Sequence, residues 1–263
     1  MTGSTPPSLG FERSVAVVVG IDRYWHGVAP LRRAVADAAA VGDALQRQGF
    51  EVRRLLDEDA SRAALESLFE QELPALRPVP ERLLVYFAGH GLARMDDNYD
   101  LTGFLLPVEA RREEEPSYWP MTRLFNLLQP RLCKHLLLIL DCCFAGAFPR
   151  PTAWDLRDAE EPASLPLERF RHYTAHRSFQ LLLSTAQDEL ASDGSSPFAT
   201  ALLEALGGRA DANGDGLLTA TELYVYLRDR MIELLAGSGA RQTPALRHLA
   251  WHDRGEFVFL LRG

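Results

Sequence analysis

The sequence predicts an α/β fold: a three-layer α-β-α sandwich with a mostly parallel central sheet of about six strands. Three observations carry that expectation. Short apolar runs suited to buried strands recur, notably at residues 14–21, 83–87 and 136–140. Between them apolar residues return at helical spacing, so strands alternate with helices over the whole length, as a sheet covered on both faces requires. Two of the runs stop abruptly, at Ala88-Gly89-His90-Gly91 and at Asp141-Cys142-Cys143-Phe144-Ala145-Gly146. Small residues and reactive side chains of this kind collect at the carboxyl ends of strands in open α/β sheets.

Residues 1–10 are polar with two prolines and read as a disordered leader. No linker interrupts the remainder, so residues 11–263 are expected to form a single domain. The run 14–21 is β-branched and gives the first strand, followed by a loop over 22–30. Residues 31–48 place Val35, Ala38, Val41 and Leu45 on one helical face, with Gly49 as the stop. A short strand at 51–56 follows, then a helix over 61–76 capped by Ser61 and wet along Glu66, Glu70 and Glu72. Residues 82–88 form the third strand and 104–108 the fourth. The charge run 111–116 reads as a solvated loop and 121–128 as a helix. After the central strand at 136–140, residues 148–171 carry four prolines and read as a long loop, a length usually reserved for function. A strand at 180–185, helices at 197–206 and 223–235, and a last strand at 256–261 complete the chain.

The chain has 263 residues, 47% hydrophobic and 24% charged, a balance that supports a sizeable core. Its formal charge of −8 argues against a nucleic-acid partner, which would require a basic footprint. No apolar run approaches the roughly 18 residues of a membrane span, and the start of the chain lacks the pattern of a secretory signal. Three cysteines are too few for a disulfide framework and favour a reducing compartment, so the cytoplasm is expected. A composition rich in Ala, Leu and Arg suggests a bacterial source.

Cys143 and His90, each just past a buried strand, offer a thiol nucleophile and an imidazole base. A neighbouring imidazole makes the thiolate accessible, and small residues after the cysteine can start a helix whose N–H groups face an oxyanion. Glycines on both sides of His90 would let a peptide backbone come close.

The motifs Tyr86-Phe87-Ala88-Gly89-His90-Gly91 and Asp141-Cys142-Cys143-Phe144-Ala145-Gly146 resemble those of the caspase-like cysteine peptidases, the metacaspase and bacterial branch in particular. The separation of 53 positions from His90 to Cys143 is similar to the roughly 50 that separate the pair in caspases. Val18-Gly20-Ile21, Ser184-Thr185-Ala186 and Gln242-Thr243-Pro244 extend the resemblance over most of the chain, while Ala88, Ala145 and Phe144 depart from the usual residues. The resemblance implies Cys143 as nucleophile and His90 as base, with Gly91 and Cys143 supplying the oxyanion N–H groups. It also implies Asp141, Asp37 and Ala88 as the substrate-binding residues. Asp37 lies in Leu31-Arg32-Arg33-Ala34-Val35-Ala36-Asp37-Ala38, which is similar to the segment supplying the second pocket acid in metacaspases. Two carboxylates in a partly dry pocket would select Arg or Lys.

Cleavage after arginine makes Arg150, Arg157, Arg111 and Arg112 candidate sites of self-cleavage, so activation by self-cleavage, or by a protein partner that orders the loop 148–171, is expected. Its substrates would be proteins or peptides with exposed Arg or Lys. Arg32 and Arg33 keep an Asp-specific peptidase as the alternative, and a non-catalytic scaffold of the same fold is a second one. A nucleotide-binding module is disfavoured, because Ile21-Asp22-Arg23-Tyr24 contains no glycine-rich phosphate cradle.

Residues 211–222 match the calcium loop of an EF-hand, with Asp211, Asn213, Asp215, the Leu217 carbonyl and Glu222 at the ligand positions. Calcium is therefore a candidate ligand, in a structural rather than a switching role. The same residues could instead form Asx turns, with Thr219 and Glu222 as the capping box of the next helix. No cofactor is expected for the chemistry itself.

Overall fold

A computed structural model describes residues 10–95, 101–142, 166–184, 196–239 and 241–261. All of the expected leader but Gly10 falls outside the described residues. The central sheet has six strands in the order β10-β8-β7-β3-β1-β2. They are β1 (Ser14–Gly20), β2 (Glu51–Leu56), β3 (Arg82–Ala88), β7 (His135–Asp141), β8 (Ser178–Leu183) and β10 (Ala245–His248). Five run parallel, and only the edge strand β10 is antiparallel, to β8.

Side-chain alternation divides the core in two. Val15, Val17 and Val19 of β1, with Val85 and Phe87 of β3 and Leu136, Leu138 and Leu140 of β7, bury one face. Phe69 from the broken helical segment 62–75, Trp119, and Met121 and Leu124 of the helix α4 (Met121–Leu127) cover it. Ala16 and Val18, with Leu84, Tyr86, Leu137 and Ile139, face the other side. There they meet α1 (Ala34–Arg47), α6 (Pro197–Glu204) and α7 (Ala220–Leu235). Gly20 permits the contact with α1: a Cβ there would lie 2.7 Å from both the Ala34 carbonyl oxygen and the Ala38 methyl.

The α/β class and the six strands are as the sequence implies, but two predicted members belong elsewhere. The strand expected at 104–108 is β5 (Leu101–Leu105), the middle of a separate antiparallel sheet with β4 (Gly91–Met95) and β6 (Trp119–Pro120). The strand expected at 256–261 is β11 (Val258–Leu260), paired only with β9 (Leu217–Thr219). Its place in the sheet is taken by β10, whose sequence ALRH has no β-branched residue and holds its place by pairing with β8. The helix expected from 31 begins at Ala34, where its first N–H donates to Asp22 Oδ1 at 2.8 Å. Ser61 caps as predicted, accepting from the Ala64 N–H at 3.2 Å, but the helix passes through a π-turn at Leu68–Glu72. The expected loop over 148–171 gives way at its end to α5 (Pro166–Ala175); its earlier part lies outside the described residues. Among the described residues no helix is long and apolar enough to cross a membrane.

Candidate active site

Three parallel strands, β3, β7 and β8, deliver the candidate site at their carboxyl ends. Register pairs Ala88, the last residue of β3, with Asp141, the last of β7. The pairing then runs on by one step each way, through the Gly89 N–H to the Asp141 carbonyl (3.4 Å) and the Ser184 N–H to the Leu140 carbonyl (3.0 Å). His90 thus stands two residues past Ala88, and Cys143 two residues past the paired Asp141. Cys143 itself lies outside the described residues, as do Arg150 and Arg157. Its neighbour Cys142 is fully buried on the α4 side of the sheet.

His90 is held on three sides. Its Nε2 lies 2.8 Å from the Ala29 carbonyl oxygen, its N–H donates to the Tyr24 hydroxyl at 2.8 Å, and its carbonyl accepts from the Leu106 N–H at 3.1 Å. A carbonyl can only accept, so the contact with Ala29 puts the imidazole proton on Nε2 and leaves Nδ1 as the basic nitrogen. The orienting group is therefore a backbone carbonyl rather than an acid. The sequence carries no signal for it, because any residue at position 29 presents the same oxygen. Gly91, the expected oxyanion donor, is buried and opens β4 directly after His90.

Asp141 and Asp37 do converge. Ala88, Tyr86, Asp141 and Ser184 occupy alternate positions on the sheet face that packs against α1, and α1 carries Asp37. The Tyr86 hydroxyl donates to Asp141 Oδ2 at 3.2 Å, and the buried Ser184 hydroxyl faces the same carboxyl. Burial pushes the Asp141 carboxyl up to about 6; those two hydroxyls oppose the shift, and the Asp37 charge adds to it. Asp37 is itself only 6% exposed, and Arg33 Nη2 lies 3.4 Å from its Oδ1. Asp37 is therefore not a solvated helix residue. The sequence offers Tyr86 only as the first residue of the His90 motif, although a tyrosine inside an apolar strand signals a hydroxyl in need of a partner.

Arg111 and Arg112 are exposed in the loop after β5, facing Glu114 (3.9 Å) and Glu113 (3.6 Å). The backbone there is tied down: the Arg111 N–H donates to Ser117 Oγ at 2.9 Å and the Arg112 N–H to the His26 carbonyl at 3.4 Å. A protease needs an extended, free segment, so this loop is a poor substrate as it stands.

The acidic turn adopts the Asx-turn and capping-box arrangement. Asp211 accepts from the N–H groups of Gly214, Asp215 and Gly216. Glu222 Oε2 takes both the Thr219 N–H and its hydroxyl at 2.8 Å, while Glu222 Oε1 accepts from the Asn213 side-chain amide at 3.1 Å. Asp215 Oδ2 is paired with Arg169 of α5 at 2.9 Å. So disposed, one Asp215 oxygen is held by a guanidinium and Glu222 is turned to its own helix N-terminus. Among the described residues no group of three or more His, Cys, Asp or Glu side chains is arranged to hold a metal.

No match was found among curated proteins. Among solved structures, the crystal structure of a protein from Geobacter sulfurreducens is similar in fold, with a TM-score of 0.59 and 15% identity over 92% of this chain and 97% of that one. Residues 13–250, which include every strand of the central sheet as well as His90, Asp141 and Cys143, match the caspase domain of the C14 peptidases. The match spans most of the chain, which therefore belongs to the caspase-domain family.

Proposed function

We propose that the protein is a cysteine endopeptidase of the metacaspase-like branch that cleaves after arginine, and less well after lysine. Cys143 Sγ attacks the carbonyl carbon of the basic residue as His90 Nδ1 takes its proton, and the carbonyl electrons move onto oxygen. N–H groups of Gly91 and Cys143 hold that oxyanion. His90 then returns the proton to the leaving amine, and the peptide carbonyl remains on sulfur. Water, deprotonated by the same nitrogen, releases the acid and restores the thiol.

The observation that supports this reading best is the Ala88–Asp141 register, which carries His90 and Cys143 beyond adjoining strand tips. The preference for a basic residue rests on Asp141 and Asp37, two carboxylates on one side of the sheet end. A guanidinium bound there would displace Tyr86 from Asp141 and Arg33 from Asp37, exchanging a hydroxyl and a partly exposed ion pair for charge-assisted bonds. Arg150 and Arg157 are the proposed points of self-cleavage, and a partner protein could serve the same purpose. The setting we propose is cytoplasmic, with exposed Arg or Lys segments of other proteins as substrates.

A panel of fluorogenic peptides ending in Arg, Lys or Asp tests the proposal. Release from the Arg peptide that is lost in Cys143→Ala is the expected result. Preference for the Asp peptide would move the specificity to Arg32 and Arg33, and no Cys143-dependent release from any peptide would leave a binding scaffold.

A further inference from the structure

We infer that Tyr24 is a positioning residue for His90, and that Asp57 anchors the loop that brings it there; the inference rests on the peptidase reading above. His90 follows the end of β3, so its N–H has no sheet partner and would be left unsatisfied at a partly buried turn. The Tyr24 hydroxyl accepts it at 2.8 Å, while the phenol ring lies 5.2 Å from the imidazole, tilted by 41°. Gly89 is part of the same fit. A Cβ at that position would come within 3.1 Å of the Tyr24 hydroxyl oxygen, so glycine before His90 allows the phenol to approach.

The loop that carries Tyr24 also carries Ala29, and so controls both the backbone and the ring of His90. It is fastened from below by one carboxylate. Asp57 Oδ1 accepts from the N–H groups of Asp22 (2.8 Å) and Arg23 (3.0 Å), and its Oδ2 takes Arg23 Nε at 2.8 Å. Asp57 has a φ of 44°, a left-handed conformation that a non-glycine residue adopts only when its surroundings repay it. Asp22, held in this way, accepts the Leu31 N–H on its carbonyl and the Ala34 N–H on Oδ1, which closes the loop onto α1. With Ala29, Tyr24 and Leu106 engaged, Nδ1 is the nitrogen left for the thiol, and its direction depends on the turn staying put.

Tyr24→Phe keeps the ring and removes only the acceptor. Against the Arg peptide, kcat should fall roughly 10- to 100-fold with KM within about twofold of wild type, as expected for misplacement of a reacting group. In the same variant the His90 amide, followed by NMR, should exchange with solvent at least about tenfold faster, because it loses its partner. Asp57→Asn, which keeps the shape and weakens the grip on Arg23, should show the same kcat-only pattern to a smaller degree. An active wild type whose Tyr24→Phe form retains its kcat, or loses only KM, overturns the inference and leaves the peptidase reading intact. A wild type without Cys143-dependent cleavage overturns both.

Discussion

Two acidic clusters occupy opposite ends of the sheet and use their charge differently. Asp141 and Asp37 stand at the carboxyl ends of the strands. Asp211, Asp215 and Glu222 stand near the amino ends, where Asp215 borders the same cavity as Ser14 and Arg82, the first residues of β1 and β3. In the second cluster the oxygens are spent on the chain itself: backbone N–H groups, a helix cap and Arg169. In the first, Asp141 has two hydroxyls as company and no guanidinium of its own among the described residues, and burial raises its carboxyl to about 6. Satisfied acids hold a turn; a buried acid such as Asp141, with hydroxyls for company, leaves room for a positive ligand.

The contrast can be broken from either side, and the largest effect belongs to the strand end. Asp141→Asn should cut kcat/KM for Arg peptides by about 100-fold, the order expected when a desolvated charge pair loses one partner, with little change for a scissile residue that carries no charge. Assays on matched Arg and norleucine peptides would measure this.

The next effect is in pH. Binding a guanidinium needs the ionised carboxylate, so kcat/KM for Arg peptides should fall about tenfold per unit as pH drops below about 6. Stability moves the opposite way. A carboxyl raised above its unfolded value binds more protons in the native state, so its contribution to stability is fullest below the ordinary carboxylate range. That contribution is lost as pH rises to about 6. Denaturant titrations of wild type and Asp141→Asn between pH 4 and 7 should therefore diverge in this direction.

At the other end the expected effects are on folding alone. Thr219→Ala removes the cap that Glu222 completes, and should cost about 1 kcal/mol in urea unfolding without a change in specificity. Calcium should have the smallest effect. A ligand at 100 times its Kd would add about 2.7 kcal/mol, whereas millimolar calcium is expected to leave the urea midpoint where it was.

Much of this was legible in the sequence, for reasons that differ between residues. The buried strands β1, β3 and β7 announce themselves because continuous apolar runs of that length have few other uses. The strand ends at which His90 and Asp141 stand follow from where those runs stop. The sheet edge was not legible: β10 is held by its partner, and β5 and β11 look like core strands although they pair outside the main sheet. Nor could sequence supply Ala29, whose contribution is a carbonyl, or Asp57, whose role depends on a loop 35 residues away folding back onto it. The calcium-loop spelling shows the converse. Its residues suit an ion or a set of turns equally, and the contact with Arg169, 46 residues before Asp215, cannot be read from the spelling.

The proposed mechanism requires the adjoining strand tips to bring one imidazole and one thiol together. The rate at which iodoacetamide alkylates Cys143, followed by peptide mass mapping from pH 5 to 9, addresses it without any assumption about substrate. Wild type should react at a pH well below the ordinary thiol range near 8.5, and His90→Ala should slow that reaction at least about tenfold at pH 6.5. If the two proteins instead share one profile centred on an ordinary thiol, the histidine is not the base of that cysteine.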